Sequence, residues 1–143
     1  MYQKDYILRM LEMLAEMIAA IFGYIKNGQF SKAEKLIEHV YQSLLKEDAS
    51  FFQKISLEKL TDTLIGEHHY TNGHLEILAE LFFAEAELNF ARKRRDNCLD
   101  LCQKSLKLFE FLINDRKIYA IDRITKIEAI KNRITELERE KNH

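Results

Sequence analysis

The residues of this chain richest in possible chemistry are His68, His69 and His74, with Glu67 and Glu76 close by. Imidazole and carboxylate ligands suit zinc, nickel or iron, so this segment is the nearest the sequence comes to a metal cluster. The spacing argues the other way. Metal motifs on helices place ligands at i,i+3 or i,i+4, whereas His68 and His69 are adjacent and point in different directions. Histidines in a polar loop are ordinarily just solvated. The three stand as weak metal candidates only, and no metal or other cofactor is expected.

Cys98 and Cys102 lie one helical turn apart and could share a soft metal, but no second pair completes a tetrahedral set. Free cysteine packs as a small hydrophobe, and core packing is the simpler reading. Arg92-Lys93-Arg94-Arg95 is the one basic run. At a helix C-terminus these cations complement the dipole, and Glu85 and Glu87 on the preceding turns would neutralise much of their charge. No interleaved aromatics or glycine-rich loop accompany them, so a nucleic-acid role is the lesser alternative. Glu136, Glu138 and Glu140 sit in a charged terminal helix where solvation is the default. A phosphate-cradling glycine loop, a G-x-S-x-G elbow and an H-E-x-x-H helix are all missing, and no enzyme is expected.

What remains is the chemistry of contact. Tyr6, Met10, Met13 and Met17 on the first helix, with Phe83 and Phe111, form the candidate interaction surface, because methionine adapts to varied partners. Met10 and Met17 fall on the main apolar stripe of that helix, whereas Met13 leaves it beside Glu12 and Glu16. An exposed Met13 flanked by Tyr6 or Met10 would mark a partner surface.

The elements that must position these residues are helices. No proline and four glycines in 143 residues leave few breakers, which favours long helices with short connections in a single domain, residues 1–143. A net charge of −1 argues against broad attraction to nucleic acid or anionic membrane. Two cysteines make no disulfide framework, so a reducing, cytoplasmic setting is expected. No run of about 18 apolar residues exists, and Arg9, Glu12 and Glu16 interrupt the N-terminal stretch, so neither a signal peptide nor a membrane span is expected.

Apolar residues at 3.6-residue spacing predict a first helix over Asp5 to Lys26 and a second over Ser31 to Lys46. Ser56 then caps a short helix carrying Leu57, Leu60 and Leu64, which Gly66 ends, and the stretch from Gly66 to Gly73 reads as a loop. A helix from His74 to Lys93 is apolar on nearly every side, as a central helix is. Another follows over Asp96 to Ile113. The last, from Asp115 or Asp122 to Lys141, carries Ile118, Ile121, Ile124, Ile127, Ile130, Ile134 and Leu137. Its early three-residue steps make the apolar surface wind around the helix. Its end could cap the domain or pair with another chain, and capping is the better reading.

The turn between the first two helices is the clearest local signal. Gly28 can take the left-handed conformation that closes a helix, Ser31 with Glu34 has capping-box spacing, and Phe30 can staple the new helix. Tyr24, Gly28, Phe30 and Ala33 together resemble the hairpin of a tetratricopeptide repeat. A looser second copy aligns Cys98 with Ala33 and places Phe82, Ala86, Cys102 and Ser105 at aromatic or small positions. Its turn, Lys93-Arg94-Arg95-Asp96, has no glycine, and the two copies lie about two repeat lengths apart. The resemblance implies an all-α fold of about six helices in stacked antiparallel hairpins, a right-handed array with a long C-terminal capping helix. The opening Asp5-Tyr6-Ile7-Leu8-Arg9-Met10 also resembles the start of a family of small bacterial all-helical proteins without an assigned function. That likeness implies a cytoplasmic, repeat-like fold and brings no catalytic residues. The function expected is a non-catalytic protein-interaction or scaffold module that binds a peptide or helix or self-associates as a homodimer. The alternative is a metal- or ligand-binding regulator using the His68–His74 loop.

Overall fold

A computed structural model describes residues 2–113 and 123–141, with side chains from Asp5 onward. The described residues are mostly helical, with no strand among them. They form α1 (Tyr2–Lys26), α2 (Phe30–Val40), α3 (Ala49–Gln53), α4 (Leu60–Asp62), α5 (Asn72–Ala91), α6 (Arg95–Leu112) and α7 (Arg123–Lys141). Two π-helical turns, Tyr41–Leu45 and Thr63–Glu67, continue α2 and α4. Ile118, Ile121 and the expected start of the last helix lie outside the described residues. No described helix is long and apolar enough to cross a membrane.

The two hairpins close on the same turn. After α1, Gly28 is left-handed (φ 74°) and the Gln29 N–H reaches back to the Tyr24 carbonyl at 2.8 Å. After α5, Lys93 takes the same conformation (φ 62°), and the Arg94 N–H reaches the Asn89 carbonyl at 2.8 Å. Each closure satisfies carbonyls that the helix end would otherwise leave bare. The next helix then starts at once, with Ala33 N–H bonded to Gln29 and Cys98 N–H to Arg94. The missing glycine in the second turn is therefore a change of residue on an unchanged backbone.

Helix α5 is central as its all-round apolar sequence predicts, packing on α1, α2, α6 and the π-turn that follows α2. Pairings along it give the directions of its neighbours. Ile7 of α1 lies against Gly73 and Phe22 against Phe83, so α1 and α5 run the same way. Arg123, Lys126 and Arg133 of α7 meet Glu76, Glu80 and Glu87 in order, so α7 is also parallel to α5. Glu34 meets Arg92 while Tyr41 meets Glu85, so α2 is antiparallel. Helix α6 also runs back along α5, with the Ser105 hydroxyl donating to the Ala79 carbonyl at 2.7 Å. The result is one row of parallel helices, α1, α5 and α7, backed by α2 and α6.

Several local expectations are corrected. Ser31 does not cap α2; the tight closure at Gly28 starts the helix at Phe30, with Gln29 before it, and Ser31 lies exposed in the first turn. The regular part of α2 stops at Val40 rather than running to Lys46, because the widened π-turn lets Tyr41, Leu44 and Leu45 all point inward. Ser56 caps no helix: its carbonyl closes a turn onto Lys59, and α4 begins at Leu60. Gly66 lies inside the second π-turn instead of ending a helix. Gly73 belongs to α5, not to the loop, and is buried where a Cβ would come 2.5 Å from Ile7. The irregular stretch between the hairpins is anchored by two lysines of α6. Lys104 donates to the Gln53 carbonyl at 2.8 Å, and Lys107 to the carbonyls of Leu57 and Glu58.

Candidate functional site

Two of the three histidines have structural employment. His68 meets Phe51 edge-on, His74 stacks on Tyr70 with centroids 4.9 Å apart, and His69 is exposed at a left-handed turn position (φ 56°). His74 also completes the cap of α5. Its Nδ1 accepts the Thr71 N–H at 3.2 Å, while its own N–H donates to Thr71 Oγ1 at 3.4 Å. Burial pushes the His74 imidazole below its ordinary value, and accepting at Nδ1 requires that nitrogen unprotonated. Among the described residues no group of three or more His, Cys, Asp or Glu is placed to hold a metal ion.

Cys98 and Cys102 are fully buried in the core, where a hydrogen bond between the thiols, with burial, pushes Cys102 well above the ordinary thiol range. The basic run finds acids, though not those its sequence neighbours suggest. Arg92 pairs with Glu34 at 3.3 Å and Arg95 with Glu140 at 2.5 Å. Glu85 and Glu87 are engaged elsewhere, Glu85 by Tyr41 and Gln53 and Glu87 by Arg133.

The candidate interaction residues do not form one surface. Met10 is buried and Met17 half-buried, as the stripe predicts, while Tyr6 and Met13 are 59% and 48% exposed. At about 100° per residue, Met13 and Phe22 stand half a turn apart on α1, so Tyr6 and Met13 flank one side of the core stripe and Phe22 the other. Phe111 is 48% exposed on α6, beside an open apolar patch with Leu57 and Leu106. Phe83 alone faces the row of parallel helices.

There it floors a groove of about 400 Å³ shared by α1, α5 and α7. Phe22 meets Phe83 edge-on with centroids 6.3 Å apart, and Ala129, Asn132, Arg133 and Glu136 of α7 form the other wall. The Arg133 guanidinium lies 3.7 Å over the Phe90 ring and is gripped by Glu87 (2.6 and 2.9 Å) and Glu136 (2.8 Å). The Glu87 carboxylate holds Arg133 further above its already high range. The charges of the groove are thus satisfied internally. What it offers a visitor is two half-buried ring edges, a small alanine wall and the neutral amide of Asn132.

A second, more enclosed cleft of about 200 Å³ opens on the other side of α5, between α2, α3 and α6. At its floor the Glu85 carboxyl accepts from the buried Tyr41 hydroxyl (2.8 Å) and from Gln53 Nε2 (2.5 Å). Burial raises the Glu85 carboxyl above its ordinary range, and the same burial with Glu85 alongside raises the Tyr41 phenol.

Phe22, Ala129 and Asn132 are absent from the candidate site residues read in sequence, and Glu85 figures there only as a neutraliser of the basic run. A signal existed for the last. Glu76, Glu80 and Glu87 share one face of α5 by their spacing, whereas Glu85 stands about 180° from Glu76 on an otherwise apolar side. The grooves and helices define an all-helical protein built on two antiparallel hairpins. Comparison with protein-family models, curated proteins and solved structures finds no match to the chain.

Proposed function

We propose that this protein is a non-catalytic interaction module whose tetratricopeptide-like hairpins present the α1–α5–α7 groove to a short segment of a partner protein. The observation that carries the reading is the pair of half-buried rings, Phe22 and Phe83, open to solvent between three parallel helices. Apolar ring edges left accessible in a concavity are a ready contact for an incoming side chain. The occupant follows from the charge pattern. Glu87, Arg133 and Glu136 already neutralise one another, so the groove favours an uncharged apolar side chain, with Asn132 free to meet peptide backbone at the rim. The repeated turn at Gly28 and Lys93 supports treating the hairpins as copies of one unit.

Selection of peptides from a random library tests this directly. Peptides enriched on the wild-type protein should carry an apolar anchor and lose at least about tenfold in affinity against Ala129→Arg, which fills the groove from an exposed position. Equal binding to the variant, or no enrichment, would remove the reading.

A further inference from the structure

Helix α5 carries four acidic side chains, and three of them show what a carboxylate does in this fold. Glu76 is met by Arg123 at 2.6 Å, Glu80 by Lys126 at 2.5 Å and Glu87 by Arg133 at 2.6 Å. Glu85 is the exception: among the described residues it has no ion-pair partner. Two arginines line its cleft, Arg92, paired with Glu34 at 3.3 Å, and the exposed Arg94, and neither forms an ion pair with Glu85; Lys104 of α6 is taken by Asp100 at 3.0 Å. In place of a cation, Glu85 faces the enclosed cleft.

The carboxylate is also held in position. The Tyr41 hydroxyl takes one oxygen and Gln53 Nε2 the other, and both donors are themselves fixed. Tyr41 is wholly buried at the start of a π-helical turn, a distortion that frequently accompanies functional sites. The Gln53 carbonyl is tied to Lys104 of α6. Neutral donors orient a carboxylate without cancelling its charge. If its role were only to accept these two bonds, a glutamine oxygen could take one of them without burying an ionisable group. The remaining lining gives the shape of what would balance that charge. Ile37, Leu88 and Leu101 supply apolar walls, and the volume of about 200 Å³ lies below that of a drug-sized pocket.

We propose that this cleft binds a small primary amine, its ammonium group paired with Glu85 and its alkyl stem lying against Ile37, Leu88 and Leu101. The ammonium supplies the counter-cation that each other acid of α5 receives from α7. Its three N–H donors match a carboxylate whose orientation is preset. This site lies on the opposite side of α5 from the peptide groove and stands independently of it.

The test is a titration of the intact protein with 1-aminobutane and 1,4-diaminobutane at constant ionic strength, followed by backbone amide shifts of Leu88, Asn89 and Leu101. 1-Butanol serves as the uncharged control. Saturable shifts with at least one of the amines, a dissociation constant below about 1 mM and no saturation by butanol are expected. Glu85→Gln should weaken the amine at least about tenfold while raising the melting temperature, since it removes a buried charge. Asn97→Arg, at the exposed rim, should also weaken it by placing a competing cation in the cleft. Absence of saturable shifts with both amines, equal binding of butanol, undiminished amine binding by Glu85→Gln, or a lowered melting temperature in that variant would each overturn the proposal.

Discussion

Lys93 carries a backbone conformation that glycine adopts freely and lysine does not. Its φ of 62° brings Cβ toward a carbonyl, at a cost of about 1 kcal/mol or somewhat more. Lys93→Gly should therefore raise stability by about 1 kcal/mol, and Gly28→Ala should lower it by a similar amount. Chemical denaturation of both variants checks the pair; a loss of stability on Lys93→Gly would mean that the lysine side chain outweighs the backbone. His74 gives a second residue-scale expectation. Its folded-state value is depressed, so its contribution is complete above the ordinary imidazole pKa and is lost as pH falls through the depressed folded value. Glutamine can fill the same capping position without titrating. Thermal melts from pH 7.5 down to about 5 should show wild type losing more stability than His74→Gln. The raised carboxyls of Glu76 and Glu85 are common to both proteins and cancel in that comparison. Parallel pH profiles would contradict the assignment of Nδ1 as acceptor.

At the scale of elements, α7 packs on α6 and is joined to α5 through charge. Ile127, Ile130 and Leu137 are buried, while Ile124, one of the residues on the winding apolar surface, is exposed. Glu76 and Arg123 are almost wholly buried at the start of the pairing, and Arg123 also donates to the Leu112 carbonyl at the end of α6. Burial pushes the Glu76 carboxyl up more than Arg123 draws it down, the balance expected when two charges leave water together. Arg123→Met should cost about 3 kcal/mol or more by stranding Glu76, and adding Glu76→Leu should recover most of that loss. Denaturant unfolding of the single and double variants measures both; additive losses would show that the pair is not coupled. The helices themselves were largely legible in the sequence, because apolar spacing in α1, α5 and α6 follows directly from what each buries. The stretch from Lys46 to Thr71 was not. Its path through Gln53, Leu57 and Glu58 is held by Lys104 and Lys107 reaching across from α6, and distant donors leave no local pattern.

For the whole molecule, the turn at Gly28 was the clearest sign of a helical hairpin, and the matching turn was harder to see because Lys93 stands where glycine would and the two lie about two repeat lengths apart. The candidate site was less legible. Phe83 was singled out, but Phe22 reads as an ordinary member of the α1 stripe, and Ala129 and Asn132 carry no signal until α7 is laid beside α5. Tyr6, Met13 and Phe111 read as one contact surface in sequence, but Tyr6 and Met13 share a flank of α1 while Phe111 lies on α6 beside a different patch. A groove assembled from three helices far apart in the chain belongs to packing, and no single segment encodes it. The central claim is that this groove is the partner site. It is tested most directly by amide and side-chain NMR shifts on adding a library-selected peptide to wild-type protein. The groove reading predicts perturbations centred on Phe22, Phe83, Ala129 and Asn132, with the Met13 flank and the Phe111 patch unchanged. Perturbations centred on Met13 or Phe111, with the groove residues silent, would contradict it.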